Sequence, residues 1–182
     1  MIAEHAVPTS VELLRLDADS PRTAEVRRKV VGLRLAPGQQ RFSGEAAHTL
    51  PRADTDPNRV PFAVLYRQTP VGFGIIDQRG ILDEITAAPA EAVLLRAFYL
   101  DPEWQGRGIG RTACLALDPL VRSVRPEANE VVLTVNEANP AAVRAYRSGG
   151  FTATGERYLG GDAGPQLVMR RPVPYEGGAG DG

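Results

Sequence analysis

At 182 residues, 43% hydrophobic and 24% charged, the chain is long enough for a substantial core and too evenly balanced for a disordered polypeptide. Its net charge of −1 gives no broad basic footprint for nucleic acid. A single cysteine, Cys114, excludes an intramolecular disulfide framework, and neither a membrane-length apolar run nor a basic-then-apolar leader is visible, so a soluble cytoplasmic protein with no membrane partner is expected.

Residues 1–10 read as a tail, 11–171 as a single domain, and 172–182 (PVPYEGGAGDG) as a flexible tail. The stretch 11–16 (VELLRL) suits a first strand. Ser20-Pro21 starts a helix, with serine as cap and proline at the first helical position, and the helix should run through Leu33 and stop before Pro37-Gly38. A short helix is expected at 43–50, then a polar loop, ADTDPNR. Residues 62–67 and 71–77 are two strands joined by a turn at Gln68-Thr69-Pro70, and 78–90 is a loop. Residues 93–100 form a buried strand, and a helix from 108 to 121 carries Ile109, Ala113, Leu117 and Leu120 on one face. Strand 131–135 precedes a helix at 140–148, capped by Asn139 and ended by Gly149-Gly150. Strands 151–154 and 166–170 flank a glycine-rich loop at 160–164. The order β-α-α-β-β-β-α-β-α-β-β fits neither a doubly wound sheet nor a barrel. It predicts an α/β (α+β) domain with a single mixed, strongly twisted sheet and helices on both faces.

The segment LLRAFYLDPEWQGRGIGR, 94–111, carries the chemistry. Gly106, Gly108 and Gly110 alternate with side chains where a helix should begin. The first turn of a helix has unpaired N–H groups and the positive end of the macrodipole. Without Cβ atoms there, an anion can approach those N–H groups, so strand, glycine loop and helix make a phosphate cradle, flanked here by Arg107 and Arg111. A Walker loop needs a lysine after its last glycine, and the one lysine is Lys29. A dinucleotide fingerprint needs GxGxxG, and the spacing here is GxGxG. The remaining reading is a different pyrophosphate-bearing cofactor.

Gln105-Gly106-Arg107-Gly108-Ile109-Gly110 resembles the Q/R-x-x-G-x-G/A loop of the GNAT superfamily of acetyl-CoA-dependent N-acetyltransferases. The run Asn139-x-x-Ala142-x-x-x-Tyr146-x-x-x-Gly150-Phe151 resembles that family's second signature at every spacing. The resemblance implies a GNAT-like fold and a site. Main-chain amides of Gln105, Gly106, Arg107, Gly108, Ile109 and Gly110 would hold the pyrophosphate of coenzyme A, with Arg107 and Arg111 near phosphates. The end of the 93–100 strand would splay from 131–135, and pantetheine would lie in the gap, bonded to the main chain of Phe98 and Leu100. Tyr99, Asn139 and Ala142 complete the implied cofactor set, and no metal is expected. Tyr146 would be the general acid, a phenol that starts protonated and meets the leaving thiolate.

The general base is not assigned. Glu45, Asp83 and Glu84 are its candidates and also the candidate substrate ligands, while His48 and Cys114 read as packing or surface residues. A narrower resemblance, carried by Gln39-Gln40-x-Phe42-Ser43, Pro61-Phe62, Pro70-Val71-Gly72-Phe73 and Leu95-Arg96-x-Phe98, is to bacterial diamine and spermine/spermidine N-acetyltransferases. It implies a polyamine acceptor held by acids such as Glu45, Asp54, Asp56, Asp83 and Glu84. The expected activity is acetyl transfer to a primary amine in a ternary complex. The alternatives are acetylation of a protein N-terminus or an antibiotic amine, or a non-catalytic acyl-CoA-binding module. A homodimer is the default assembly.

Overall fold

The computed structural model describes residues 10–174; the tail expected before residue 10 and the greater part of the one expected at 172–182 lie outside the described residues. Strand β1 (Val11–Arg15) pairs with β2 (Arg59–Tyr66), which turns back into β3 (Thr69–Asp77). The turn is Arg67-Gln68, with φ of 47° and 68°, the left-handed pair that suits a two-residue hairpin. It therefore precedes the expected Gln68-Thr69-Pro70. Pro70 falls inside β3 opposite Leu65, at a register shift where its missing N–H costs no ladder bond.

Helix α1 (Pro21–Val30) is capped as expected, the Thr23 N–H donating to Ser20 Oγ at 3.1 Å. It stops before Leu33, because a turn at Val31-Gly32 directs Leu33 and Leu35 into the core. Helix α2 (Ala46–Asp54) starts later than residue 43 and continues through Pro51. Its start is set by a distant residue: the Ala46 N–H donates to the Tyr99 hydroxyl at 2.8 Å. The expected loop at 78–90 contains a one-turn helix, α3 (Leu82–Ile85), and leads into β4 (Ala92–Leu100).

The helix expected at 108–121 is two helices, α4 (Ile109–Leu115) and α5 (Leu117–Val124). Pro119 explains the break. Its ring would collide with the Leu115 carbonyl in a continuous helix, whereas in the first turn of α5 its missing N–H has no role. Strand β5 (Glu130–Asn136), α6 (Pro140–Ser148), β6 (Thr152–Tyr158) and β7 (Gln166–Pro172) complete the chain. Both last strands are longer than expected, and β7 uses Pro172. Val173 is buried and its N–H donates to the Asn129 carbonyl at 2.8 Å, so the ordered chain extends past residue 171.

The seven strands run in the order β1-β2-β3-β4-β5-β7-β6, antiparallel except for β4 and β5. This is the mixed sheet read from the sequence. On one face Ile109, Ala113, Leu117 and Leu120 pack on Phe62, Val93 and Val131. On the other, α1 and α2 pack Val26, Val30 and Leu50 on Ala63, Phe73 and Ile75, while α3 covers Leu94, Val132 and Val168. Asp77, buried between these two clusters, is neutralised by Arg59 at 3.2 Å and Arg96 at 3.0 Å. A buried carboxylate left unpaired would cost several kcal/mol, roughly, so the two arginines fix the outgoing end of β3 against β4.

Candidate active site

The sheet is split at its one parallel pair. β4 and β5 are in register only at Ala92–Glu130, Val93–Val131 and Leu94–Val132. Beyond that, β4 stays with β3 to Leu100 while β5 stays with β7 to Asn136. The local cause is a bulge in β4. Leu95 and Phe98 both reach the α4 face although three positions apart, and Ala97 between them takes φ of 52°. An L-residue in that region costs roughly 1–2 kcal/mol, a strain held in place by the pairing on the β3 side. The result is a cleft through the centre of the sheet, floored by main chain.

At the wide end of the cleft lies the glycine loop. Gly106 and Gly108 have φ of 75° and 79°, and space around Gly106 is open to 4 Å. Gly108 is the left-handed residue from which α4 departs. Arg107 stacks over Trp104, 4.9 Å from guanidinium to ring centroid, and Arg111 is exposed on the first turn of α4. The Ile109 side chain is buried in the core, which leaves its main chain to the loop. Gln105 turns inward, its amide donating to the Leu100 carbonyl at 3.1 Å. That bond ties the loop to the end of β4 and occupies one of the groups expected to meet a ligand.

Helix α6 closes the cleft from the other side. Asn139 caps it, its Oδ1 accepting from the Ala142 N–H at 3.4 Å, and Ala142 is half-buried against the core. Tyr146 is half-buried, its ring 6.3 Å from Phe98 on β4 and 5.7 Å from Phe151. Among the described residues its hydroxyl has no hydrogen-bond partner. Burial, with a smaller contribution from Cys114, pushes the phenol above its ordinary range, so it stays protonated. The helix reaches α4 so closely that a Cβ on Gly149 would lie 2.5 Å from Cys114 Cβ. Cys114 is itself buried and its thiol pushed up to about 11, so it is a packing residue.

The parallel pair is split, the glycine loop follows β4, and the Tyr146 ring lies beside Phe98 of that strand. The Acetyltransferase (GNAT) family model matches residues 29–151. The uncharacterised N-acetyltransferase YbbJ of Bacillus subtilis (strain 168) is 30% identical over 136 residues, 74% of this chain and 84% of the relative. The chain belongs to the GNAT family. It is therefore an acetyl-CoA-dependent N-acetyltransferase. Among similar solved structures is the aminoglycoside acetyltransferase AAC(6')-Ib in complex with coenzyme A and kanamycin, at 18% identity and a TM-score of 0.65, covering 90% of this chain and 95% of that one. Another is the spermidine N-acetyltransferase of Vibrio cholerae in complex with CoA and spermine, at 16% identity and a TM-score of 0.58, covering 90% and 96%.

This GNAT chain departs from the sequence reading elsewhere. The Tyr99 side chain points away from the split to the α1–α2 side, where its hydroxyl donates to the Leu33 carbonyl at 3.1 Å and burial raises its pKa. Only its main chain borders the cleft. Glu45 accepts from the Leu35 N–H at 3.2 Å, while Asp83 and Glu84 are exposed on α3. Asp54 pairs with Arg27 and Asp56 with Arg59. Asp54 and Asp56 line one pocket of about 680 Å³ with Asp17 and Asp19, whereas Glu45, Asp83 and Glu84 are not part of it. Among the described residues no group of three or more His, Cys, Asp or Glu is placed to hold a metal, and no helix is long and apolar enough to cross a membrane.

The sequence reading passed over a polar knot at the end of β5. Asn136 and Asn139, each 7% exposed, hold three loops together. Asn136 donates to the Ala163 carbonyl of the β6–β7 loop at 2.7 Å and accepts from the Ala138 N–H at 2.9 Å. Asn139 donates to Gln39 Oε1 of the α1–α2 loop at 2.8 Å. Buried amides must be satisfied, so each fixes two loops at once. The signal for Asn136 was weak, a lone residue at a strand end, and Gln39 stood out only through family likeness.

Proposed function

We propose that this enzyme transfers the acetyl group to a primary amine by direct attack, with Tyr146 as the acid. Acetyl-CoA would supply the activated thioester, its pyrophosphate held by the amides of 105–110 and its pantetheine lying in the β4–β5 split. The residues fit that group: the loop lacks Cβ atoms where phosphate must approach, and the split exposes main-chain edges for the pantetheine amides. Tyr146 is the observation that carries the reading. Its ring lies beside Phe98 of β4, its O–H is unshared among the described residues, and its raised pKa keeps the proton in place at any pH where an amine is free to attack. A donor aimed where negative charge develops is worth roughly two to three orders of magnitude in rate.

The experiment is Tyr146→Phe, assayed by thiol release from acetyl-CoA against a panel of amines and by calorimetric titration of acetyl-CoA. The expected outcome is a kcat lower by about 10²-fold or more with acetyl-CoA affinity within about twofold. An unchanged kcat would remove Tyr146 from the chemistry. Acetyl-CoA binding with no release on any amine would favour an acyl-CoA-binding module instead. A polyamine acceptor, suggested by the short sequence resemblance, needs acids gathered round the cleft; an antibiotic amine or a protein N-terminus does not. Residues 11–171 would act as a single N-acetyltransferase domain in the cytoplasm. A homodimer would use the outer strand β6, exposed along 152–157, and light scattering would measure it.

A further inference from the structure

The three knotted loops flank an open cavity of about 560 Å³ lined by Arg41, Phe42, Ala138, Asp162, Ala163 and Gln166, with Arg41 and Asp162 exposed at its rim. It sits at the mouth of the split. Ala138 lies between Asn136, where β5 ends, and Asn139, the cap of the helix that carries Tyr146. Gln166 is directly across from Asn136 in the β5–β7 register and from Tyr158 in the β6–β7 register, so the floor is the face opposite α4. The β4–β5 ladder ends at Leu94–Val132, and Ala138 brings the pocket to the outgoing end of β5 beside that split. An acceptor entering here meets the split from the face opposite α4.

Two charges line the cavity, and they are opposite. Neither Arg41 nor Asp162 forms an ion pair among the described residues. The Arg41 guanidinium carbon lies over the Phe42 ring, 4.3 Å from its centroid. A guanidinium stacked this way is oriented before any ligand arrives, and its in-plane N–H groups remain free to grip a carboxylate in bidentate fashion. The neighbouring acid Glu137 is neutralised by Arg157, which leaves Asp162 alone for a cation. A polyamine would bring its second ammonium group towards Arg41 with one acid to receive it.

We infer that this cavity is the acceptor subsite and that it selects amines bearing a carboxylate, the chemistry of an amino acid, through Arg41. The inference rests on the acetyl-transfer reading above. Asp162 draws in the amino end and Arg41 holds the carboxylate, so Arg41 sets specificity without touching the thioester.

The test compares acceptors of matched length in the thiol-release assay: glycine, β-alanine and γ-aminobutyrate, each against the alkylamine and the diamine of the same chain length. The best amino acid should exceed both partners in kcat/KM by tenfold or more. Arg41→Ala should abolish that advantage mainly through KM for the amino acid, and Arg41→Lys should restore part of it. Circular dichroism and acetyl-CoA titration of the variants verify that fold and cofactor site are intact. Diamines matching or surpassing the amino acids overturn the inference while leaving acetyl transfer standing, as does an amino-acid preference that Arg41→Ala leaves unmoved. No release on any of the nine compounds, with acetyl-CoA still bound, overturns the inference; release on an aminoglycoside or a peptide amine in the same assay would leave acetyl transfer standing, and its absence there too would remove both.

Discussion

The two sides of the split are built from different materials. The proposed cofactor side is mostly main chain: glycine amides in a loop of six residues and the free edges of two strands, with one phenol from a capped helix. The proposed acceptor side is side chains from three loops that are far apart in the chain, held by Asn136, Asn139 and Gln39. Main-chain recognition suits a ligand common to a whole family, because it survives exchange of most side chains. Recognition by side chains such as Arg41 and Asp162, as proposed, can change by substitution without disturbing the cofactor side. The contrast explains how a fold shared at 16–18% identity is compatible with different acceptors.

Raising the pH probes the buried side of that contrast and has the largest expected effect. Cys114 is neutral and buried beside α6, its pKa about 11 against an ordinary value of 9.0. The folded value exceeds the unfolded one, so this contribution is fully present below about pH 9 and is lost as pH rises towards 11. The loss reaches about 2–3 kcal/mol. Tyr146, also raised, adds in the same direction at still higher pH. Urea midpoints at pH 8 and pH 10.5 measure it, and Cys114→Ala should flatten the first part of the decline.

Asn139→Ala tests whether the two sides are tied together. It removes the α6 cap and the Gln39 bond, for an expected loss of about 2 kcal/mol in urea unfolding. KM should rise for acetyl-CoA and for the amine alike; a rise for one substrate alone would mean that the sides are independent. Gly108→Ala isolates the cofactor side. With φ at 79°, a Cβ there strains the start of α4. Acetyl-CoA affinity should fall about tenfold by titration, with amine KM at saturating acetyl-CoA unmoved. Ala97→Gly has the smallest expected effect, a gain of up to about 1 kcal/mol in unfolding free energy from relief of the left-handed residue.

Much of the cofactor side was legible because its signals are local. Ser20-Pro21 and Asn139-Pro140 set helix starts through their own side chains, and the spacing from Asn139 to Tyr146 is fixed by a single helix. The break between α4 and α5 was also written locally, in Pro119, and was missed by reading the apolar stripe alone. The start of α2 was not local at all, since the hydroxyl that fixes it belongs to Tyr99. The same holds for the acceptor cavity. Arg41 and Asp162 are more than a hundred residues apart, and nothing in either neighbourhood says that they share a cavity. The surroundings of the candidate acids were hidden for a related reason, since nothing local says that Asp54 pairs with Arg27, whereas the Asp56–Arg59 pair is local.

The ladder joining β4 to β5 is three residue pairs long. Past Leu94 the amides of β4 that point towards β5 sit at the middle of a seven-stranded sheet yet have no ladder partner on that side. In deuterium oxide they should exchange like frayed ends while their neighbours bonded to β3 stay protonated for far longer. A ligand lying along that gap would silence the fast set alone. Exchange at a few central amides therefore reports occupancy directly, in a protein that needs no label and no turnover to be read.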